Sequence, residues 1–387
     1  MYLRTHLLGV VILLHAIVPD AGAQASRTPG PQPGRWILTV ERRYGDRPGT
    51  ELANPETIAV DGAGRLYVAD ARPAAVKVFA SDGKLLRTLG REGGGPGEYR
   101  KPWIAARGEL VVIHDPAQSR TTVYDTSGKY VRSWPTFCCH QNEVAIDRKG
   151  RIVVPAVIQS PEALTSGTPQ RAAYLRYAVD GRVVDTVRIR GDAAERLWTV
   201  SRSGAEGKPR AGMTSVVVPY TPRRLFAWHP DGGFVGGWSA DMRLFRSSTG
   251  KDSTAFVSAS MAPQRIPERL RQVAVDSAVA QFTPMVGPVA ARAAARPGDV
   301  PTDAPAFTRL LVDEEGNIWA RQLLPLVPGA TVFHIFGPSG TDLGTATVPV
   351  VVPDWGGVAF GEGTMFVRSE DADGQPIVVR LRVRREH

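Results

Sequence analysis

The stretch Thr57 to Pro102, TIAVDGAGRLYVADARPAAVKVFASDGKLLRTLGREGGGPGEYRKP, constrains the fold more than any other part of the chain. It reads as four short apolar runs parted by turn residues. Ile58 to Val60 ends at Gly62 and Gly64, where a backbone of positive φ must be reachable. Leu66 to Ala69 follows and stops at Asp70 and Pro73. Val76 and Val78 fall on one face and Lys77 on the other, the period of a half-buried strand. The turn Ser81-Asp82-Gly83-Lys84 then leads into Leu85 to Leu89 in the manner of an Asp-Gly hairpin.

Four antiparallel strands in so short a span form one blade of a β-propeller. The pattern IAVD-x-x-G-x-LYVAD, then VKVF-x-x-DG, then G-x-x-G-x-GPGEY-x-x-P, resembles an NHL repeat, and the chain is similar to the six-bladed NHL/TolB-like propellers of exported bacterial proteins. The resemblance is specific over residues 55–102 and elsewhere thins to turn spacing and strand pattern.

The remaining chain repeats the unit with losses. Blades are expected near 55–90, 103–135, 144–190, 225–260, 308–349 and 356–386. The last has three strands, and residues 36–43 (WILTVERR) would supply its fourth, since the loop after Tyr44 copies the loop after Leu89. The expected fold is therefore all-β, a six-bladed propeller of four-stranded antiparallel blades closed by an N-terminal strand on the C-terminal blade, which removes two exposed edges. The first glycine turn recurs at Gly64, Gly108 and Gly150, and then only at Gly232 and Gly316. The first long gap holds Gly191 to Arg224, read as a Gly/Pro/Arg-rich loop. The second holds a short helical insertion near 267–296: Leu270, Val273, Val275, Val279 and Phe282 approach helical spacing, and Pro267 sits where a helix can begin. Both gaps connect one blade's outer strand to the next blade's inner strand, which puts them on one rim.

Residues 1–23 have the form of a signal peptide: Arg4, an apolar run from Leu7 to Val18, and the small residues Ala21-Gly22-Ala23. That run is too short to span a bilayer as an ordinary helix. No cysteine stands directly after the cleavage site, so no lipoprotein anchor is expected; export to a periplasm or beyond, with cleavage near Ala23, is expected, and residues 24–34 read as a disordered leader. No later run is long enough to span a membrane, and a monomer is expected. The formal net charge of +9 would suggest nucleic acid in a cytosolic protein, but with an export signal no nucleic-acid partner is expected.

Aligning the ends of the second strands places Asp70, His114, Ala156, Trp238, Gln322 and Ser369 around the expected tunnel mouth. One His and one Asp on neighbouring blades fall short of a converging metal-ligand set. Cys138-Cys139-His140 lies in the connection between the second and third blades, on the same face as His114. The two cysteines are the only ones in the chain. Adjacent Cα atoms are closer than normal disulfide geometry allows, so a strained vicinal bridge, free thiols and an intermolecular bridge all remain open. His229 occupies the turn position of Asp61. There is no G-x-S-x-G elbow, and GREGGGPGEY lacks the Lys-Ser/Thr ending of a phosphate loop. In that loop Tyr99 is expected to pack as a plug. Arg380, Arg382 and Arg384 alternate with Val379, Leu381 and Val383, the pattern of a strand with one solvated face.

No catalytic residue, cofactor or metal is assigned from this pattern. The chain is read as an exported, non-catalytic binding or scaffold module, whose protein, peptide or glycan partner meets the face bearing the long loops. Asp70, His114, Cys138, Cys139, His140, Trp238 and Gln322 are the candidate ligand-face residues. The fold resemblance also implies an alternative, a metal-dependent propeller enzyme of the lactonase or peptidyl-amidoglycolate lyase kind. Those families ring the tunnel with several His or acidic ligands, from which this sequence departs. RNA binding, known from NHL domains in the cytosol, is implied only by fold, which does not transfer function.

Overall fold

The computed structural model describes residues 34–136, 144–158, 171–189, 196–202, 212–259 and 261–386. The expected signal peptide, almost all of the expected leader and Cys138-Cys139-His140 lie outside the described residues.

Turn chemistry explains the repeat. Asp61 accepts the backbone N–H groups of Ala63 and Arg65 on Oδ1, and Arg65 Nε and the Tyr67 hydroxyl on Oδ2, at 2.6–3.0 Å. Asp147 and Asp313 hold the equivalent turns in the same way. A short acceptor side chain that bonds its own backbone two and four residues on favours a turn over a continuing strand. Each turn is completed by a glycine of positive φ: Gly64, Gly150 and Gly316.

Among the described residues the strands form four antiparallel sheets of four, one sheet of eight and two sheets of two. The first sheet contains Pro55–Val60, Leu66–Ala71, Ala74–Phe79 and Leu85–Leu89. The second contains Trp103–Arg107, Leu110–Asp115, Arg120–Asp125 and Tyr130–Pro135. The third contains Ala145–Ile146, Ile152–Ile158, Arg171–Tyr177 and Val183–Val187. The fourth contains Arg224–Trp228, Phe234–Trp238, Met242–Ser247 and Thr254–Ala259. In the eight-stranded sheet, Arg309–Val312, Ile318–Arg321, Thr331–Phe336 and Asp342–Val348 run in order to the N-terminal strand Gly34–Tyr44, followed by Pro376–Glu386, Thr364–Glu370 and Val358–Gly361.

The N-terminal strand pairs antiparallel with Pro376–Glu386, Leu38 opposite Val383 and Val40 opposite Leu381. On its other side it makes a short parallel pairing, Gly34 opposite Gly344, and Trp36 Nε1 donates to the Leu343 carbonyl at 3.0 Å. Glu41 on this strand pairs with both Arg380 and Arg382, so two members of the arginine ladder share one carboxylate within the sheet.

Cores lie between successive sheets. Tyr67, Val76 and Tyr99 pack with Ile104, Val111 and Tyr124 across the first and second. Tyr44, Phe366 and Val378 pack with Ile58, Leu66 and Phe79 across the eight-stranded and first sheets. Tyr99 is fully buried and its hydroxyl bonds that of Tyr124 at 2.8 Å, the plug expected of the GPGEY loop. The turn between third and fourth strands tucks against the preceding sheet: a Cβ on Gly250 would stand 1.6 Å from the Arg188 carbonyl oxygen, and φ there is +86°.

The gap after the third sheet departs from the sequence reading. Instead of only a loop, it contains a hairpin, Leu197–Arg202 paired with Gly212–Val217. The helical insertion forms α1 (Glu268–Val286) and α2 (Pro288–Ala294), parted by Gly287 at φ 82°. Ala274, Val275, Ala278, Val279 and Phe282 form the buried stripe of α1. They pack with Trp198, Val200 and Val218, so the two gaps build one satellite core. No described helix is long and apolar enough to cross a membrane.

Candidate functional site

The first strands of the four four-stranded sheets and of the eight-stranded sheet, with the Val358–Gly361 strand, line a central cavity of about 210 Å³. Its wall mixes aliphatic residues such as Ile58, Ile104 and Leu310 with the polar side chains of Arg107, His229, Arg309 and Glu314. The rim at the Asp61 and Asp147 turns is crossed by an ion pair. Arg107 gives Nη1 and Nη2 to Glu314 at 2.6 and 2.8 Å, and Nε to the Ile146 carbonyl at 2.7 Å. This bidentate pair joins two sheets that are not neighbours, 207 residues apart in sequence. Arg148 adds bonds to Asp231 and the Glu314 carbonyl on the same rim.

His229 does there what Asp61 does in its own turn, its Nδ1 accepting the Asp231 N–H at 3.1 Å. Arg246 Nη2 lies 3.0 Å from the same nitrogen. Burial, then the Arg246 charge, lowers its pKa from 6.5 to about 4.

The second-strand residues singled out in the sequence do not line this cavity. Asp70 is buried and spends its carboxylate on the backbone N–H groups of Ala53 and Asn54, at 2.9 and 2.6 Å. It anchors the loop that leads into the first sheet. Asp115, which the sequence reading passed over, does the same for Arg100, Ala117 and Gln118. His114 is wholly buried, Nδ1 at 3.0 Å from Thr121 Oγ1 and its ring against Trp103. Burial lowers its pKa to about 4. Ala156 is buried too. Trp238 and Gln322 are half-buried on separate sheets. Among the described residues no three His, Cys, Asp or Glu side chains are grouped to hold a metal ion.

Of the sequence-selected set, Ser369 lines the larger opening. A groove of about 800 Å³ lies on the loop rim, over the seam between the eight-stranded sheet and the first sheet. Pro55, Pro349, Val351 and Pro353 form apolar walls, and Arg368, Ser369 and Glu370 supply polar groups. The loops beside it leave Leu326 48%, Val351 62% and Trp355 40% exposed. Arg368 Nη1 donates to the Pro55 carbonyl at 2.7 Å, and its guanidinium lies 5.8 Å from the centre of the Trp355 ring. Burial pulls the Arg368 pKa down, while Glu56 and Glu370 push it up. The only linear trace of this groove is the run VPVVVPDWGG at 348–357, apolar residues and a tryptophan in a connection where solvated residues are the norm.

A family model described as a 6-bladed beta-propeller matches residues 49–147, from the loop before the first sheet to the first turn of the third. No curated protein matches the sequence significantly. Among solved structures the chain is similar to a candidate exported protein of Bacteroides fragilis (11% identity, 90% of this chain and 95% of that one, TM-score 0.48). It is also similar to a member of the duf4221 family from Bacteroides vulgatus (9%, 92% and 100%, 0.46) and to a gluconolactonase of Xanthomonas campestris (12%, 86% and 87%, 0.40).

Proposed function

We propose that the chain is an exported six-bladed propeller, closed by its N-terminal strand, that binds a protein or peptide through its loop rim without chemistry of its own. The reading is supported chiefly by the rim groove, where proline and valine walls adjoin exposed Leu326, Val351 and Trp355. Contiguous apolar surface costs solubility and marks an interaction site. Pro55, Pro349 and Pro353 give the groove apolar walls, with Arg368, Ser369 and Glu370 at the edge. The apolar core between sheets holds the rim loops in place, so the face is presented preformed.

The test compares recovery of partners from envelope extract. Immobilised wild-type protein is expected to retain a partner that a Leu326→Asp/Val351→Asp variant loses. Val273→Asp, on the exposed face of α1, should keep it. Equal recovery by all three proteins would refute the reading.

A further inference from the structure

We infer that the Arg107–Glu314 ion pair is a gate on the rim of the glycine turns, past which small solutes enter the central cavity. The inference is independent of the groove on the loop rim and concerns the opposite end of the strands.

Position gives the first argument. Outside the pair lies a basin of about 580 Å³, over the turns that carry Asp61, Gly108 and Glu314. Basin and cavity have Val60, Ala106, Arg107, Glu314 and Phe360 in both of their walls, so the pair is the partition between them. It also spans the cavity from side to side. Between its two ends the shared cores run through the third and fourth sheets one way round, and through the first sheet and the Val358–Gly361 strand the other way. At about 210 Å³ the cavity is smaller than ordinary ligand sites of roughly 300–1,000 Å³, so it admits only small solutes.

The two ends of the cavity are closed differently. At the loop end Arg309 is 7% exposed and gives its guanidinium to the Pro353 and Gly356 carbonyls. A buried cation parts from such acceptors at high cost. At the turn end the Arg107 and Glu314 side chains are 23% and 35% exposed. Water can take over their bonds when they separate, and ion pairs so placed hold weakly. The turn end is therefore the one that opens.

Only side chains need to move. Glu314 rides on a turn fixed by Asp313, which accepts from Asn317 and Trp319. Arg107 ends a strand that is paired along its length with Leu110–Asp115. Each has a second partner close by. Arg148 already bonds the Glu314 carbonyl, and the exposed Glu362 stands in the basin wall on the side of Arg107. One charged cluster thus has a closed and an open arrangement, the two states that a gate requires.

Cysteine labelling tests this. In a Cys138→Ser/Cys139→Ser background, Ala359→Cys puts a thiol in the wall of the cavity and not of the basin. Its reaction with methyl methanethiosulfonate, a small neutral reagent, is followed by mass spectrometry. Glu314→Gln should speed the reaction about fivefold, the weight of one half-exposed ion pair. Arg107→Gln should do the same, and the double variant should be no faster than either single one. Salt should speed the parent and leave Glu314→Gln unchanged. Val112→Cys, in the core between second and third sheets, should stay unreactive throughout, which separates opening of the gate from general loosening. A rate at Ala359→Cys that ignores Glu314→Gln, single effects that multiply in the double variant, or an equal gain at Val112→Cys would overturn the inference.

Discussion

Acid should destabilise this protein through two neutral, buried histidines, and His114 isolates the effect. The ring is fully buried, bonded through Nδ1 to Thr121, with Nε2 buried and unpartnered. Desolvation lowers its pKa from 6.5 to about 4. The unfolded chain therefore binds a proton that the native chain refuses between those values. Stability from this source is complete above pH 6.5 and is lost as pH falls toward 4. The loss is about 1.4 kcal/mol per pH unit, hence about 2 kcal/mol from pH 7 to pH 5 and about 3 kcal/mol in full. His229 titrates in the same window with the same sign. Asp313 and Glu315, raised by burial, act in the opposite sense. Comparison with His114→Gln cancels these other groups. Urea unfolding followed by tryptophan fluorescence at pH 7, 6 and 5 should show the stability gap between wild type and variant shrinking by about 2 kcal/mol. A gap that does not change with pH would show that native His114 titrates as a solvated imidazole, and would refute the argument.

Gly250→Ala should cost at least about 3 kcal/mol, because the new Cβ meets the Arg188 carbonyl oxygen and must also hold a left-handed φ. Gly97→Ala shares the positive φ but meets nothing within 4 Å, so its melting temperature should fall much less. Phe282→Ala removes the fully buried centre of the satellite core and should cost about 3–5 kcal/mol locally. Hydrogen exchange should rise in α1 and in the 197–217 hairpin, while the first sheet stays protected.

Much of the local structure was legible because it is decided by neighbours in sequence. The positive-φ glycines at 64, 108, 150, 232 and 316 stand where turns were expected. His229 replaces Asp61 in its bonding as well as its position. The helix at 268–286 starts after Pro267 as expected, but of the apolar residues singled out for it only Val275, Val279 and Phe282 are buried, and Val273 is 58% exposed. The 197–217 hairpin was missed because its strands have no sheet of their own class to join. They are stabilised by α1, which comes some fifty residues later in the chain. Asp70 was noticed for its polarity, but whether a carboxylate faces a ligand or its own backbone depends on which loop folds over it.

The sequence by itself determined the strand rhythm and the turns, since period-2 alternation and short-range side-chain bonds act within a few residues; the N-terminal strand's place beside the last strand was legible only through the loop after Tyr44, which copies the loop after Leu89. Only the tertiary structure decided the site. The rim groove takes Pro55, Pro349, Val351, Pro353, Arg368 and Glu370 from three separate segments of the chain. Arg368 stands at its edge only because the fold brings it to the Pro55 carbonyl, more than three hundred residues away in sequence. Burial and desolvation, which set whether each of these groups is spent or available, are properties of the assembled fold.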